Sequence, residues 1–91
     1  DPEFTHVLFY TYVDDMLERR APYREQHLQR IEALRAAGQL IVAGAVGDPP
    51  SGAVLGFRGL TREEVEAWAD TDPYVNAGLV TERSVEPWRL V

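Results

Sequence analysis

The sequence contains no cysteine and no lysine, and its apolar runs are short. The missing cysteine excludes disulfides, thiolate nucleophiles and zinc sites built from thiolates. Because all nine basic residues are arginine, lysine Schiff-base catalysis and a phosphate-binding P-loop are excluded as well. No apolar run is long enough to cross a bilayer and no signal peptide is recognised, so we expect a cytoplasmic protein without a membrane partner.

The chain is small and acidic, with a formal charge of −6 over 91 residues. Asp1 to Phe4 read as the translation of adjacent cloning sites, so we expect the native sequence to begin near Thr5 and a single domain to cover residues 5–91. Leaving out Asp1 and Glu3 changes the charge from −6 to −4. Since phosphate binding needs a basic surface, nucleic acid is not an expected partner.

Hydrophobic periodicity and turn residues predict four strands and two helices. Pro22 is typical of a first helical position and Gly38 of a helix end. Thr61 and Glu64 have the spacing of a capping box. A single further turn is expected after Asp72. The predicted strands are His6 to Val13, Gln39 to Val46, Ala53 to Arg58, and Leu79 to Val91 with an interruption at Pro87; the predicted helices are Pro22 to Ala37, with an apolar stripe of Leu28, Ile31 and Leu34, and Thr61 to Asp70.

The order β-α-β-β-α-β predicts an α+β, ferredoxin-like fold, in which two helices cover one face of a four-stranded antiparallel sheet. The other face would remain open. The first strand carries apolar residues on both faces and so does the second, which favours a homodimer with the two open faces packed together as a dimeric α/β barrel.

His27 and Arg24 lie on the same side of the first predicted helix, near its apolar stripe. A histidine there either hydrogen-bonds a backbone carbonyl and is purely structural, or lines a cavity. Arg24 either pairs with a nearby acid or faces the same cavity.

Asp72 follows the second helix in the sequence Thr71-Asp72-Pro73-Tyr74. Its carboxylate either caps the next turn or orients an imidazole. His6 is expected at the surface without a partner, and Trp68 is expected in the core rather than as a stacking platform.

The other catalytic templates do not fit. Ser51 and Ser84 lie outside any nucleophile elbow, and the two histidines form no zinc-binding motif, so no metal and no cofactor are expected.

Several stretches together resemble the YCII-related (YciI-like) proteins from about His6 to Val91. These stretches are Leu17 to Arg20 with Arg24 to Leu28, Gly38 to Gly44, Ala67 to Leu79, and Val85 to Trp88. The resemblance implies dimeric ferredoxin-like proteins related to enzymes acting on small ring compounds, including dehydrochlorinase-type members. It also implies that Arg24, His27 and Asp72 are active-site residues. We expect Arg24 and Tyr74 to bind the substrate.

Two functions follow as hypotheses. In the first, His27 and Asp72 form a general base that removes a proton from a small cyclic or carbonyl compound, in an elimination or isomerisation, while Arg24 holds an anionic oxygen. In the second, the same residues are a satisfied buried network in a non-catalytic dimeric module that binds a ligand or a partner.

Overall fold

The computed structural model describes residues 5–91, so the expectation for residues 1–4 lies outside the described residues. Its helices and strands follow the predicted order. They are β1 (Thr5–Tyr12), α1 (Met16–Arg19), α2 (Ala21–Ala36), β2 (Leu40–Val46), β3 (Gly52–Arg58), α3 (Arg62–Asp70), α4 (Pro73–Asn76) and β4 (Val80–Pro87). The short helix α4 is the single turn expected after Asp72, and the short helix α1 was not predicted.

The four strands form one antiparallel sheet in the order β2-β3-β1-β4, which confirms the ferredoxin-like α+β fold. The helices cover one face of the sheet. Their buried side chains pack with inward-facing residues of the strands, and the core consists of Leu8, Tyr10, Tyr12, Met16, Ile31, Leu34, Ala53, Leu55, Phe57, Val65, Ala69, Tyr74, Leu79 and Val85.

The two main helices begin and end at the residues that the sequence marks. Pro22 lies in the first turn of α2, and Gly38, with a φ of +73°, follows its end. The Thr61 hydroxyl accepts from the Glu64 backbone N–H, and the Glu64 carboxylate accepts from the Thr61 backbone N–H, which forms the predicted capping box at the start of α3. These local signals therefore determine where α2 begins and ends and where α3 begins.

Three details of the prediction were wrong. Leu28 is 42% exposed, because the buried positions of α2 are His27, Ile31 and Leu34. His6 is buried, and its Nδ1 lies 3.0 Å from the carbonyl oxygen of Leu60. The last strand ends at Pro87 rather than continuing to the end of the chain, since proline has no N–H for the sheet.

The face of the sheet opposite the helices carries several exposed apolar side chains. Phe9, Val42 and Val46 are 42%, 48% and 50% exposed, and Val54 is half-buried between them. The Trp88 ring covers Gly56 on the same face. Within residues 5–91, no helix is long and apolar enough to span a membrane.

Candidate functional site

His27 and Asp72 are joined by a hydrogen bond between Nδ1 and Oδ1 at 2.9 Å, although 45 residues separate them in sequence. His27 lies on the inner side of α2, and Asp72 lies at the start of α4. Both side chains are buried, and Asp72 is fully so. The contact predicted between them is therefore present, and the Asp72 side chain also caps α4.

Asp72 accepts hydrogen bonds from three separate parts of the fold. Besides His27, the donors are the hydroxyl of Tyr10 on β1 at 2.8 Å and the backbone N–H of Tyr74 at 3.0 Å. Burial by itself raises the pKa of Asp72, but these hydrogen bonds and the charge interaction with His27 outweigh it, so the pKa is lowered. Asp72 is consequently a carboxylate at neutral pH.

The burial of Tyr10 raises the pKa of its hydroxyl, and the neighbouring Asp72 carboxylate raises it further. The hydroxyl therefore stays protonated and remains a donor to Asp72.

Tyr74 holds the imidazole of His27 from one side. The two rings are stacked, with centroids 3.9 Å apart and planes inclined by 12°. Only 2% of Tyr74 is exposed, and its hydroxyl is buried without a hydrogen-bond partner among residues 5–91. Burial raises the pKa of this hydroxyl, while the nearby guanidinium of Arg24 acts in the opposite direction. A buried donor without an acceptor is unfavourable, so this hydroxyl is available to a ligand.

A cavity of about 440 Å³ lies between α2 and the strands β2 and β3. Its volume is within the range of small-molecule sites. Small residues of β2 and β3 leave this space beneath the helix. The lining residues are Tyr12, Arg20, Arg24, His27, Leu28, Ile31, Glu32, Arg35, Ala43, Gly44, Ala45, Ala53, Leu55 and Tyr74.

Three arginines line this cavity; Arg35 forms an ion pair with Glu32, and the other two are Arg20 and Arg24. Within the described part of the chain, neither Arg20 nor Arg24 forms an ion pair with a carboxylate. Both lower the pKa of Tyr12, although burial raises that pKa overall. In an acidic protein, this part of the cavity therefore offers positive charge and suits an anionic group.

The hydrogen bond to Asp72 determines which nitrogen of His27 can react. Because a carboxylate only accepts, Nδ1 carries the proton. In the neutral imidazole, Nε2 then keeps its lone pair and can remove a proton from a molecule in the cavity. Residues 5–91 include no group of three histidine, aspartate or glutamate side chains placed to hold a metal ion.

The structure brings Arg24, His27 and Tyr74 to one cavity and places Asp72 directly behind His27. Their catalytic and substrate-binding roles stay predictions. Sequence reasoning missed Arg20, Tyr10 and Tyr12. A signal existed for each of them, because both tyrosines alternate with Leu8 on the inner face of β1 and Arg20 lies four residues before Arg24.

Solved structures share this fold. The 5-chloro-2-hydroxyhydroquinone dehydrochlorinase of Burkholderia phenoliruptrix, in complex with 2,5-dihydroxybenzoquinone, is 23% identical with a TM-score of 0.81, and the match covers 96% of this chain and 95% of that one. A dimeric ferredoxin-like protein from Thermobifida fusca is 15% identical with a TM-score of 0.51, over 94% of this chain and 89% of that one.

The sequence itself has clear relatives. Protein YciI of Escherichia coli is 38% identical over 96 residues, which cover 94% of this chain and 97% of the relative. The family model described as the YCII-related domain matches residues 4–89. The chain therefore belongs to the YCII-related family.

Proposed function

We propose that this protein is a small-molecule enzyme in which His27 is the general base and Asp72 orients it. The observation that carries the proposal is the 2.9 Å contact from the fully buried Asp72 to a histidine that lines a cavity. Asp72 fixes the tautomer and stabilises the imidazolium that forms when Nε2 takes a proton. Stacking on Tyr74 holds the ring in one plane before the substrate arrives.

The proposed substrate is a small cyclic compound that carries an anionic oxygen. Arg24 binds that oxygen, and the hydroxyl of Tyr74, which has no hydrogen-bond partner among residues 5–91, donates a second hydrogen bond to it. The Burkholderia neighbour acts on a chlorinated hydroxyhydroquinone and binds 2,5-dihydroxybenzoquinone, so this class is the first to test.

The proposed reaction is an elimination or an isomerisation. In an elimination from the keto tautomer of a chlorinated hydroxyhydroquinone, His27 removes the proton of a ring hydroxyl. The O–H electron pair forms a C=O bond, the ring double bond shifts towards the carbon that carries chlorine, and chloride leaves with its bonding electrons. Arg24 stabilises the oxyanion that develops on the ring.

We further propose that the protein acts as a homodimer formed through the open face of the sheet. The apolar side chains of Phe9, Val42 and Val46 would be covered by the same residues of a second copy. The neighbour from Thermobifida fusca is itself dimeric, which supports a homodimer.

One observation favours the second candidate function, a non-catalytic binding module. Asp72 links β1, α2 and α4 through its hydrogen bonds, so the His27–Asp72 pair also has a structural use. A module of this kind binds its ligand but does not turn it over. Turnover therefore separates the two functions, and binding alone does not.

The binding step is tested by titrating 2,5-dihydroxybenzoquinone into the wild type and Arg24→Ala. Loss of a charged hydrogen bond should weaken binding by roughly 1.5 to 3 kcal/mol, which is about 10- to 100-fold. Arg62→Ala, at the exposed start of α3 and outside the cavity lining, is the matched control and should bind as the wild type does. Equal affinity of the wild type and Arg24→Ala, or no binding to the wild type, would contradict the proposed substrate class.

A further inference from the structure

Arg30 makes a set of contacts that the proposed chemistry does not use. Its guanidinium lies 4.5 Å from the centre of the Trp68 ring. The Nη2 group donates to the backbone carbonyl of Trp68 at 3.1 Å and to the hydroxyl of Thr71 at 2.7 Å. Arg30 thus joins the middle of α2 to the C-terminal end of α3.

These contacts connect the same two segments that carry the proposed catalytic pair. Arg30 lies three residues after His27 on α2, which is slightly less than one helical turn. Thr71 directly precedes Asp72 in the sequence. Two adjacent links, one from His27 and one from Arg30, therefore hold α2 against the junction of α3 and α4.

The Arg30 link has a clear physical basis. The last carbonyl groups of a helix have no partner within the helix, and the helix dipole places partial negative charge there. A guanidinium donates hydrogen bonds to these carbonyl groups and places positive charge beside the negative end of the dipole. Stacking on an indole ring adds a cation–π interaction. The Thr71 hydroxyl also lies within hydrogen-bond distance of the carbonyl oxygens of Ala67 and Trp68, which ties the junction to the end of α3.

We propose that Arg30 is a positioning residue that sets the approach of Asp72 to His27. The inference deepens the proposed function, since it concerns the geometry of the same pair, but it is a statement about position and is tested without turnover. Without the link, the junction is free to move away from α2, and the Nδ1 proton of His27 becomes accessible to water.

The test follows the Nδ1 proton of His27 by NMR in protein labelled with ¹⁵N-histidine. Arg30→Met keeps the apolar stem and removes the donors, and it also removes the Nη1 atom, which is buried without a partner among residues 5–91. Exchange of the Nδ1 proton with water should become roughly 10- to 100-fold faster, the factor expected for loss of a charged hydrogen bond. Arg30→Lys should restore part of the protection.

Two further variants separate positioning from a general loss of stability. Thr71→Val removes the hydroxyl that accepts from Arg30, is nearly isosteric, and should shift exchange in the same direction by a smaller factor. Val65→Ala deletes buried methyl groups from α3 without touching the link, so it should lower thermal stability and leave the Nδ1 signal unchanged at a temperature where it is fully folded.

The outcomes are distinct from those of the activity assay. Faster exchange in Arg30→Met and Thr71→Val, but not in Val65→Ala, supports the positioning role whether or not any substrate is turned over. Unchanged exchange in Thr71→Val and in folded Arg30→Met would overturn it and leave Arg30 a purely stabilising contact. If Arg30→Met does not fold, exchange of the Nδ1 proton is compared in Thr71→Val and Arg30→Lys. Faster exchange than in the wild type supports the positioning role, and unchanged exchange in both variants overturns it.

Discussion

Replacing Asp72 with asparagine changes one charge at the centre of the buried network and leaves its shape nearly intact. The amide oxygen still accepts from His27 and from the backbone of Tyr74, and the Tyr10 hydroxyl can turn to accept from the new NH₂ group. Three charge-assisted hydrogen bonds thereby become neutral ones, each weaker by about 1 kcal/mol. The avoided burial of a charge offsets part of this loss.

We therefore expect Asp72→Asn to lower the free energy of unfolding by about 2 kcal/mol at neutral pH, with a fall in Tm of about 10 °C for a domain of this size. Urea denaturation at a fixed protein concentration measures the difference. The matched control is Asp14→Asn, an exposed carboxylate that forms no ion pair within residues 5–91 and should leave stability unchanged. A variant as stable as the wild type at neutral pH would refute the view that Asp72 is a stabilised buried carboxylate.

The pH dependence of the same difference gives a second check. The pKa of Asp72 is lowered in the folded protein, so the folded state favours the ionised form. The stabilisation is therefore fully present above the unfolded pKa of about 3.9 and is lost as pH falls through the lower folded pKa. The stability gap between wild type and Asp72→Asn should shrink as the solution is acidified below about pH 4. A gap that stays constant or widens there would contradict the lowered pKa.

Three further predictions concern the cavity and the open sheet face. Tyr74→Phe removes a buried hydroxyl that has no hydrogen-bond partner in the described part of the chain, so the unliganded protein should be as stable as the wild type or about 1 kcal/mol more stable, whereas 2,5-dihydroxybenzoquinone should bind more weakly in calorimetry; lower stability with unchanged binding would contradict this. Light scattering should give about twice the 10.3 kDa chain mass, and Val42→Asp should give a monomer; a wild-type monomer at every concentration would refute the dimer. In Gly56→Ala the new Cβ would clash with the Trp88 ring, so Trp88 must move and its fluorescence should shift to the red; an unchanged spectrum would show that Trp88 does not pack there.

The fold could be predicted from the sequence because its strongest signals are local. The capping box at Thr61, proline at the start of α2 and the alternation in β1 each act within a few residues, and together they give the order of elements. The errors at Leu28 and His6 arose where a polar residue takes an inward position. Hydrophobicity predicts that Leu28 is buried, but the buried side chain at this point of α2 is His27, because its imidazole hydrogen-bonds to Asp72.

The site was harder to predict, because its geometry depends on contacts between residues far apart in the sequence. No spacing rule joins His27 to Asp72, and it was the family resemblance that paired them. The Tyr10 hydroxyl completes the arrangement from β1, 62 residues before Asp72. Strand alternation could have placed the tyrosine inside, but only the folded chain shows which carboxylate it meets.

The central claim is that His27 is a general base, and chloride release from 5-chloro-2-hydroxyhydroquinone tests it most directly. His27→Asn is the informative variant, because its amide nitrogen can still donate to Asp72 from the position of Nδ1 while no base remains at Nε2. We expect the wild type to release chloride above the protein-free background and His27→Asn to be slower by roughly 10²- to 10⁴-fold. A folded His27→Asn that releases chloride as fast as the wild type would contradict the general-base role, and a wild type no faster than background would contradict the proposed reaction on this substrate.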